Sequence, residues 1–156
     1  MHRRLLFCFI LLTTLGLAEP KAKNVILFLA DAGGTSTLHA ASVHGYGATR
    51  KLFVQSMPQI GLSDTSSATA WVSDSAAGMT AIVTGRKTHN GVISQGPDAE
   101  RGKQDGAPLK TILEYAEERG LSTGVITNMP FYDATPAACF RKPMTAAPPL
   151  LSSKLS

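Results

Sequence analysis

Asn24-Val-Ile-Leu-Phe-Leu-Ala-Asp-Ala-Gly-Gly34 is a continuous apolar run that stops at a carboxylate, Asp31, and closes on two glycines. A short run of strand formers without polar alternation suits a strand buried on both faces of a parallel sheet. The residues from Thr35 to Val43 are small and helix-compatible, so Thr35 or Ser36 is expected to cap a helix that returns over that sheet. Asp31 would then stand at the carboxyl end of a strand, where open α/β sheets place their sites.

The same logic recurs downstream. Pro108 is expected to open a helix in which Leu109, Ile112, Leu113 and Ala116 recur at helical spacing, with Glu114, Glu117 and Glu118 toward water and Gly120 as the stop. Ser122-Thr-Gly-Val-Ile-Thr127 reads as the next strand, and a helix joined to a strand in this way sets the class as α/β with a mainly parallel sheet. Between these units, Gln59–Ser63 alternates as an edge strand does, and Asp64–Thr69 is a Ser/Thr-rich loop. Ala76–Val83 is helix-compatible with Gly85 as its stop, and Asn90-Gly91 signals a turn ahead of a polar loop.

With 156 residues, 44% of them hydrophobic, the chain has the length and composition of one globular domain. Arg3-Arg4 precede an apolar run from Leu5 to Leu17 that ends in small residues. That is the layout of a secretory signal peptide, so residues 1–18 are expected to be removed on export to a periplasm or the exterior. The run is shorter than the roughly 20 residues that a membrane-spanning helix needs. Cys8 would leave with it, and the single remaining thiol, Cys139, allows no disulfide within the mature chain. The formal charge of +4 also dissolves on division: residues 19–140 carry ten Lys/Arg against eleven Asp/Glu. Charge therefore gives no argument for a nucleic-acid partner.

Ser75 falls at the amino end of the expected helix over 76–83. Its plain reading is a helix cap. Its chemical reading is a nucleophile whose bound phosphate is held at a helix start, where backbone N–H groups favour negative charge and the small residues Ala76, Ala77 and Gly78 leave room. A serine hydroxyl needs an activator. Around Ser75 the residues are Ser73-Asp74-Ser75-Ala76-Ala77, not the esterase pattern Gly-x-Ser-x-Gly, so a metal ion is the natural candidate, with Asp31 the best placed ligand.

Five blocks carry a family resemblance: Asn24 to Gly34, Val72-Ser-Asp-Ser-Ala-Ala-Gly-Met-Thr80, Thr84-Gly-Arg-Lys-Thr-His-Asn-Gly91, Thr111-Ile-Leu-Glu114 and Asp133-Ala-Thr-Pro-Ala-Ala138. In this order they resemble the alkaline phosphatases over roughly residues 24–138. The resemblance implies a doubly wound α/β fold, incomplete in this chain, and hydrolysis of phosphate monoesters with two zinc ions (Zn2+) and one magnesium ion (Mg2+). It makes Ser75 the nucleophile and a zinc ligand, through a phosphoserine. It implies that Asp31 bridges zinc and magnesium, that Thr135 ligates magnesium, that Asp133 acts on that ion through water, and that Asp74 holds a phosphate-binding arginine. Full-length members are commonly homodimers, and their imidazole ligands come from a region beyond residue 156. His39, His44 and His89 are accordingly expected at the surface, as are Arg86 and Lys87.

Two departures from the family pattern stand out. Ala32 occupies a position that is usually glycine, where its methyl adds a steric cost, and Met79 replaces a small residue on a face expected to point into the core. The match stops near Phe140. Position 146, where the resemblance expects an arginine, is Ala, and residues 141–156 show no periodicity. A shifted reading frame would account for both, since the codons of Met144-Thr145 read one phase over must give Asp. Three readings follow: a truncated and inactive phosphomonoesterase, a phosphodiester or sulfate ester hydrolase of the same superfamily, and a noncatalytic fragment.

Overall fold

The computed structural model describes residues 22–140, so the expected signal segment over 1–18 and residues 141–156, expected to be an aberrant tail, lie outside the described residues. The chain divides into two compact units, one ending at Ala30 and the other beginning at Asp31. The described part of the first, residues 22–30, carries no helix or strand, with Val25, Ile26 and Phe28 exposed.

In the second unit, helix α1 spans Thr35–Tyr46. Its cap is Gly34 and no side chain closes it, so the expected capping by Thr35 or Ser36 is not what the structure uses. Asp31 and Ala32 form the turn that leads in, and Ala32 has a φ of 55°. The methyl at 32 thus lies in the left-handed region, which costs about 1–2 kcal/mol for a residue with a Cβ. At the other end of α1, Ser42 is fully buried. Its hydroxyl donates to the Ala48 carbonyl at 2.7 Å and accepts from Lys51 N–H at 2.8 Å, tying the helix to the chain that follows.

Helix α2, Ser75–Thr84, is the centre of the unit. Ala76, Met79, Thr80 and Val83 are buried, the spacing of one helical face. Met79 therefore lies in the core, as expected for that departure. Gly85 stops the helix at φ 71°, a conformation that favours glycine. Two shorter helices follow: α3, Ile112–Glu117, and α4, Ala134–Phe140. The core cluster joins Met79 and Val83 of α2 to Ala138 and Cys139 of α4, with Ile93, Leu113 and Val125 packed around it. Pro136 sits in the first turn of α4, where its missing N–H has no helical partner to lose. Cys139 is free and buried, and burial pushes its thiol pKa up.

A buried polar relay runs through this core. Thr80 Oγ1 accepts Ser94 N–H at 2.9 Å and donates to the Val92 carbonyl at 3.5 Å, while Ser94 Oγ donates to the Ala138 carbonyl at 3.0 Å. Two hydroxyls thus connect α2, the segment 92–94 and α4, and among the described residues no buried side-chain nitrogen or oxygen is left unpaired.

The expected helix opening at Pro108 is corrected. Residues 107–109 instead pair with 94–96, through Gly96 N–H to the Ala107 carbonyl and Leu109 N–H to the Ser94 carbonyl. Helix α3 begins only after Thr111, which forms a capping box with Glu114. That box turns Glu114 back onto the chain rather than toward water, and Ile112 is exposed. Gly120, with φ 73°, closes the following turn.

The parallel sheet is not formed among the described residues. The three expected strands, 24–29, 59–63 and 122–127, lie outside any ladder, and among the described residues the only β pairs are the isolated bridges Gln95 with Pro108 and Glu100 with Gln104. Leu62 and Ile126 are fully exposed, at 103% and 102%. The reason is physical: a strand has no hydrogen-bonding partner of its own, and an apolar run long enough to be a buried strand becomes one only where a neighbour completes the ladder.

Two stability changes are expected. Ser94→Ala leaves the buried Ala138 carbonyl without its donor and should lower unfolding free energy by about 1–3 kcal/mol, read from urea denaturation; an unchanged midpoint would show the relay to be idle. Ala32→Gly should raise stability by about 0.5–1 kcal/mol, because relief of the left-handed methyl outweighs the extra entropy of an unfolded glycine.

Candidate active site

Two helix starts deliver hydroxyls to one carboxylate. Ser75, the first residue of α2, donates from Oγ to Asp31 Oδ2 at 2.9 Å across 44 residues of sequence. Thr135, in the first turn of α4, donates from Oγ1 to the same oxygen at 2.8 Å across 104 residues. Packing of α2 on α4 sets the two first turns side by side. These bonds, Thr135 before Ser75, hold the Asp31 carboxyl below its usual range, with a weaker opposing push from desolvation. Asp31 is therefore an anion at neutral pH, and it is exposed to solvent.

Ser75 is not the helix cap. That part is taken by Asp74, whose Oδ1 accepts Ala77 N–H at 2.9 Å and whose Oδ2 accepts Gly91 N–H at 2.6 Å. Freed from capping, the Ser75 hydroxyl can turn to Asp31. The carboxylate assigned by resemblance to an arginine is thus held by two backbone amides, and among the described residues it forms no ion pair. Asp133 stands just before α4, half-buried, with its backbone carbonyl accepting Ala137 N–H. Its side chain forms no hydrogen bond within the Asp31 cluster.

The donor set decides which ions it suits. One carboxylate and two hydroxyls converge, all hard oxygens of the kind magnesium prefers. Nitrogen and sulfur ligands for zinc do not converge there. No group of three or more His, Cys, Asp or Glu side chains able to hold a metal is present among the described residues. His39 and His44 are exposed, as expected. His89 is half-buried rather than at the surface: its Nδ1 is 3.1 Å from Thr69 Oγ1 and its Nε2 is 2.7 Å from the Pro97 carbonyl, so both ring nitrogens are engaged. Lys87 is paired with Asp64 at 2.9 Å and with Ser66, and this lysine holds the Asp64 carboxyl well below the usual carboxylate range.

Asn90 and Gly91 are the residues of this neighbourhood that the sequence marked only as a turn. The Asn90 amide accepts from Asp74 N–H at 3.3 Å and donates to the Val72 carbonyl at 3.1 Å. The available signal was position: an Asn-Gly pair a few residues past the helix that the nucleophile begins.

Comparison with known proteins bears on this geometry. The family model described as "Alkaline phosphatase" matches residues 22–145. Alkaline phosphatase 4 of Drosophila melanogaster is 37% identical over 131 residues, which are 78% of this chain and 22% of that protein. Streptomycin-6-phosphate phosphatase of Streptomyces griseus is 38% identical over 122 residues, covering 75% and 26%. The human tissue-nonspecific alkaline phosphatase is 34% identical over 128 residues, covering 76% and 24%. The chain thus spans about a quarter of the length of these relatives. A solved structure of a TAB5 alkaline phosphatase mutant with Mg bound superposes with a TM-score of 0.53 at 31% identity, over 70% of this chain and 28% of that one. The sequence blocks around Asp31, Ser75 and Thr135, the family model and the structural likeness agree, and the chain belongs to the alkaline phosphatase family.

Proposed function

We propose that this chain carries the nucleophile side of a phosphate monoester hydrolase, with Ser75 as the phosphate acceptor. The observation that supports it most is the shared acceptor: Ser75 and Thr135 reach the same oxygen of Asp31 from distant parts of the sequence. The relatives named above are phosphatases, which favours phosphate over sulfate esters.

In this reading Ser75 Oγ forms a bond to phosphorus as the ester P–O bond breaks, and the alcohol leaves after taking up a proton. Water then attacks phosphorus, the Oγ–P bond breaks, and inorganic phosphate departs. The amino end of α2 favours the negative phosphoryl group, and Ala76 and Ala77 leave its backbone accessible. Asp31 orients the Ser75 hydroxyl but does not deprotonate it: a carboxylate whose pKa is lowered is a weak base for an alcohol. Asp31, Thr135 and Ser75 would hold a magnesium-like dication, with Asp133 acting on it through water. Such an ion supplies positive charge that acidifies a hydroxyl and offsets phosphoryl charge. The described residues do not fit zinc, and by itself the chain is expected to turn over no substrate. Asp74 holds the peptide ahead of the nucleophile, and the sheet of the family completes around these helices as a mainly parallel, doubly wound array.

Placed in a full-length relative in exchange for the matching segment, residues 22–140 should support hydrolysis of 4-nitrophenyl phosphate. Ser75→Ala should then lower the rate at least about a thousandfold; activity within tenfold of the parent would exclude Ser75 as nucleophile. In the 156-residue chain, titrating Mg2+ should raise the melting temperature. Asp31→Asn should abolish that rise and Thr135→Val should weaken the affinity by about tenfold or more. Equal rises in all three proteins would place any bound ion elsewhere.

A further inference from the structure

The Asn90-Gly91 turn reaches the segment just ahead of Ser75. One planar amide satisfies the Asp74 N–H and the Val72 carbonyl, two residues apart, as the edge of a neighbouring strand would. The next residue continues the pairing, because Gly91 N–H donates to Asp74 Oδ2 while the first turn of α2 holds Oδ1 through Ala77 N–H. Asp74 is consequently gripped on its backbone and on both carboxylate oxygens, one residue before Ser75. Gly91 has a φ of 77°, a conformation that favours glycine, whereas the atoms nearest an added Cβ belong to the exposed Arg101 side chain, which can move aside. His89 anchors the same turn to Thr69 and Pro97 without a hydrogen bond to Asp74, which makes it a natural control.

The geometry points to Asn90 and Gly91 as positioning residues for Ser75. They act through Asp74 and the Val72–Asp74 peptides, fixing where Ser75 leaves the extended segment and so where Oγ meets Asp31. The functional meaning rests on the reading of Ser75 as nucleophile, for which an error of about 1 Å in placement can cost on the order of a hundredfold in rate. The structural claim does not need that reading.

The test uses the 156-residue chain and nuclear magnetic resonance. In the unsubstituted protein Ser75 should show one χ1 rotamer, and the amides of Asp74 and Ala77 should be protected from exchange. Asn90→Ala should average the Ser75 rotamer and speed exchange at Asp74 and Ala77 by about tenfold or more, with Val83 and Ser94 within about twofold. Asn90→Asp, which keeps the acceptor for Asp74 N–H and loses the donor to Val72, should fall between, and it serves if Asn90→Ala fails to fold. His89→Ala should leave the Ser75 rotamer fixed. An unchanged rotamer in Asn90→Asp and Gly91→Ala overturns the proposal, as does loss of protection that spreads equally to Val83 and Ser94. If Ser75→Ala stays active in the exchanged relative, the nucleophile reading falls while this result stands.

Discussion

Contact between the buried faces of α2 and α4 is the constraint on which the rest of the site depends. Met79 and Val83 meet Ala138 and Cys139, and the Thr80–Ser94–Ala138 relay fixes the same pair of helices through hydrogen bonds. Helix α4 is only seven residues long, too short to persist alone, so its stability comes from this packing. Apolar contact leaves some freedom of sliding between helices. A hydroxyl aimed at one carbonyl removes much of it, since a shift of a residue would strand a buried acceptor. The first turns of both helices lie upstream of that contact, and the hydroxyls of Ser75 and Thr135 reach Asp31 because the register between the helices is set.

How much of this was legible depended on whether the information was local. Gly85 as a stop and Met79 as a core residue follow from one helix's own spacing and chemistry, and both appear as read. Pro108 is instructive in the other direction. A proline favours a helix start, yet here its segment pairs with residues 94–96 and the helix waits for the Thr111–Glu114 box, a tertiary partner overriding a local preference. The expected strands do not pair among the described residues for a related reason. Composition identifies an apolar extended run, but a ladder belongs to two segments, and Leu62 and Ile126 stand in water without one.

At the candidate site the division is similar. Asp31, Ser75 and Thr135 were recognisable as motif residues, and the structure brings these three together. That Asp74 rather than Ser75 caps the helix was not legible, because both are good helix caps and sequence alone does not say which one stands in the extended conformation just before the helix. Asn90 was hidden more deeply. Its signature as a turn residue is genuine, but what it pairs with is fixed only when the turn folds back beside Val72 and Asp74.

The assignment of the cap to Asp74 also explains why one short segment can hold a half-buried serine without losing it to its own backbone. A serine at a helix start commonly turns its hydroxyl to the N–H groups of the first turn. Asp74 already occupies Ala77 N–H, so Ser75 has no reason to turn inward. Asp31 then offers it an anionic acceptor, and a hydrogen bond to an ionised oxygen is roughly twice as strong as one to a neutral group. The cost lies in the turn that supplies Asp31, where Ala32 takes a left-handed conformation better suited to glycine. Strain at 32 and capping at 74 are therefore parts of one arrangement, in which an exposed carboxylate and a half-buried hydroxyl face each other because neighbouring residues have removed the alternatives.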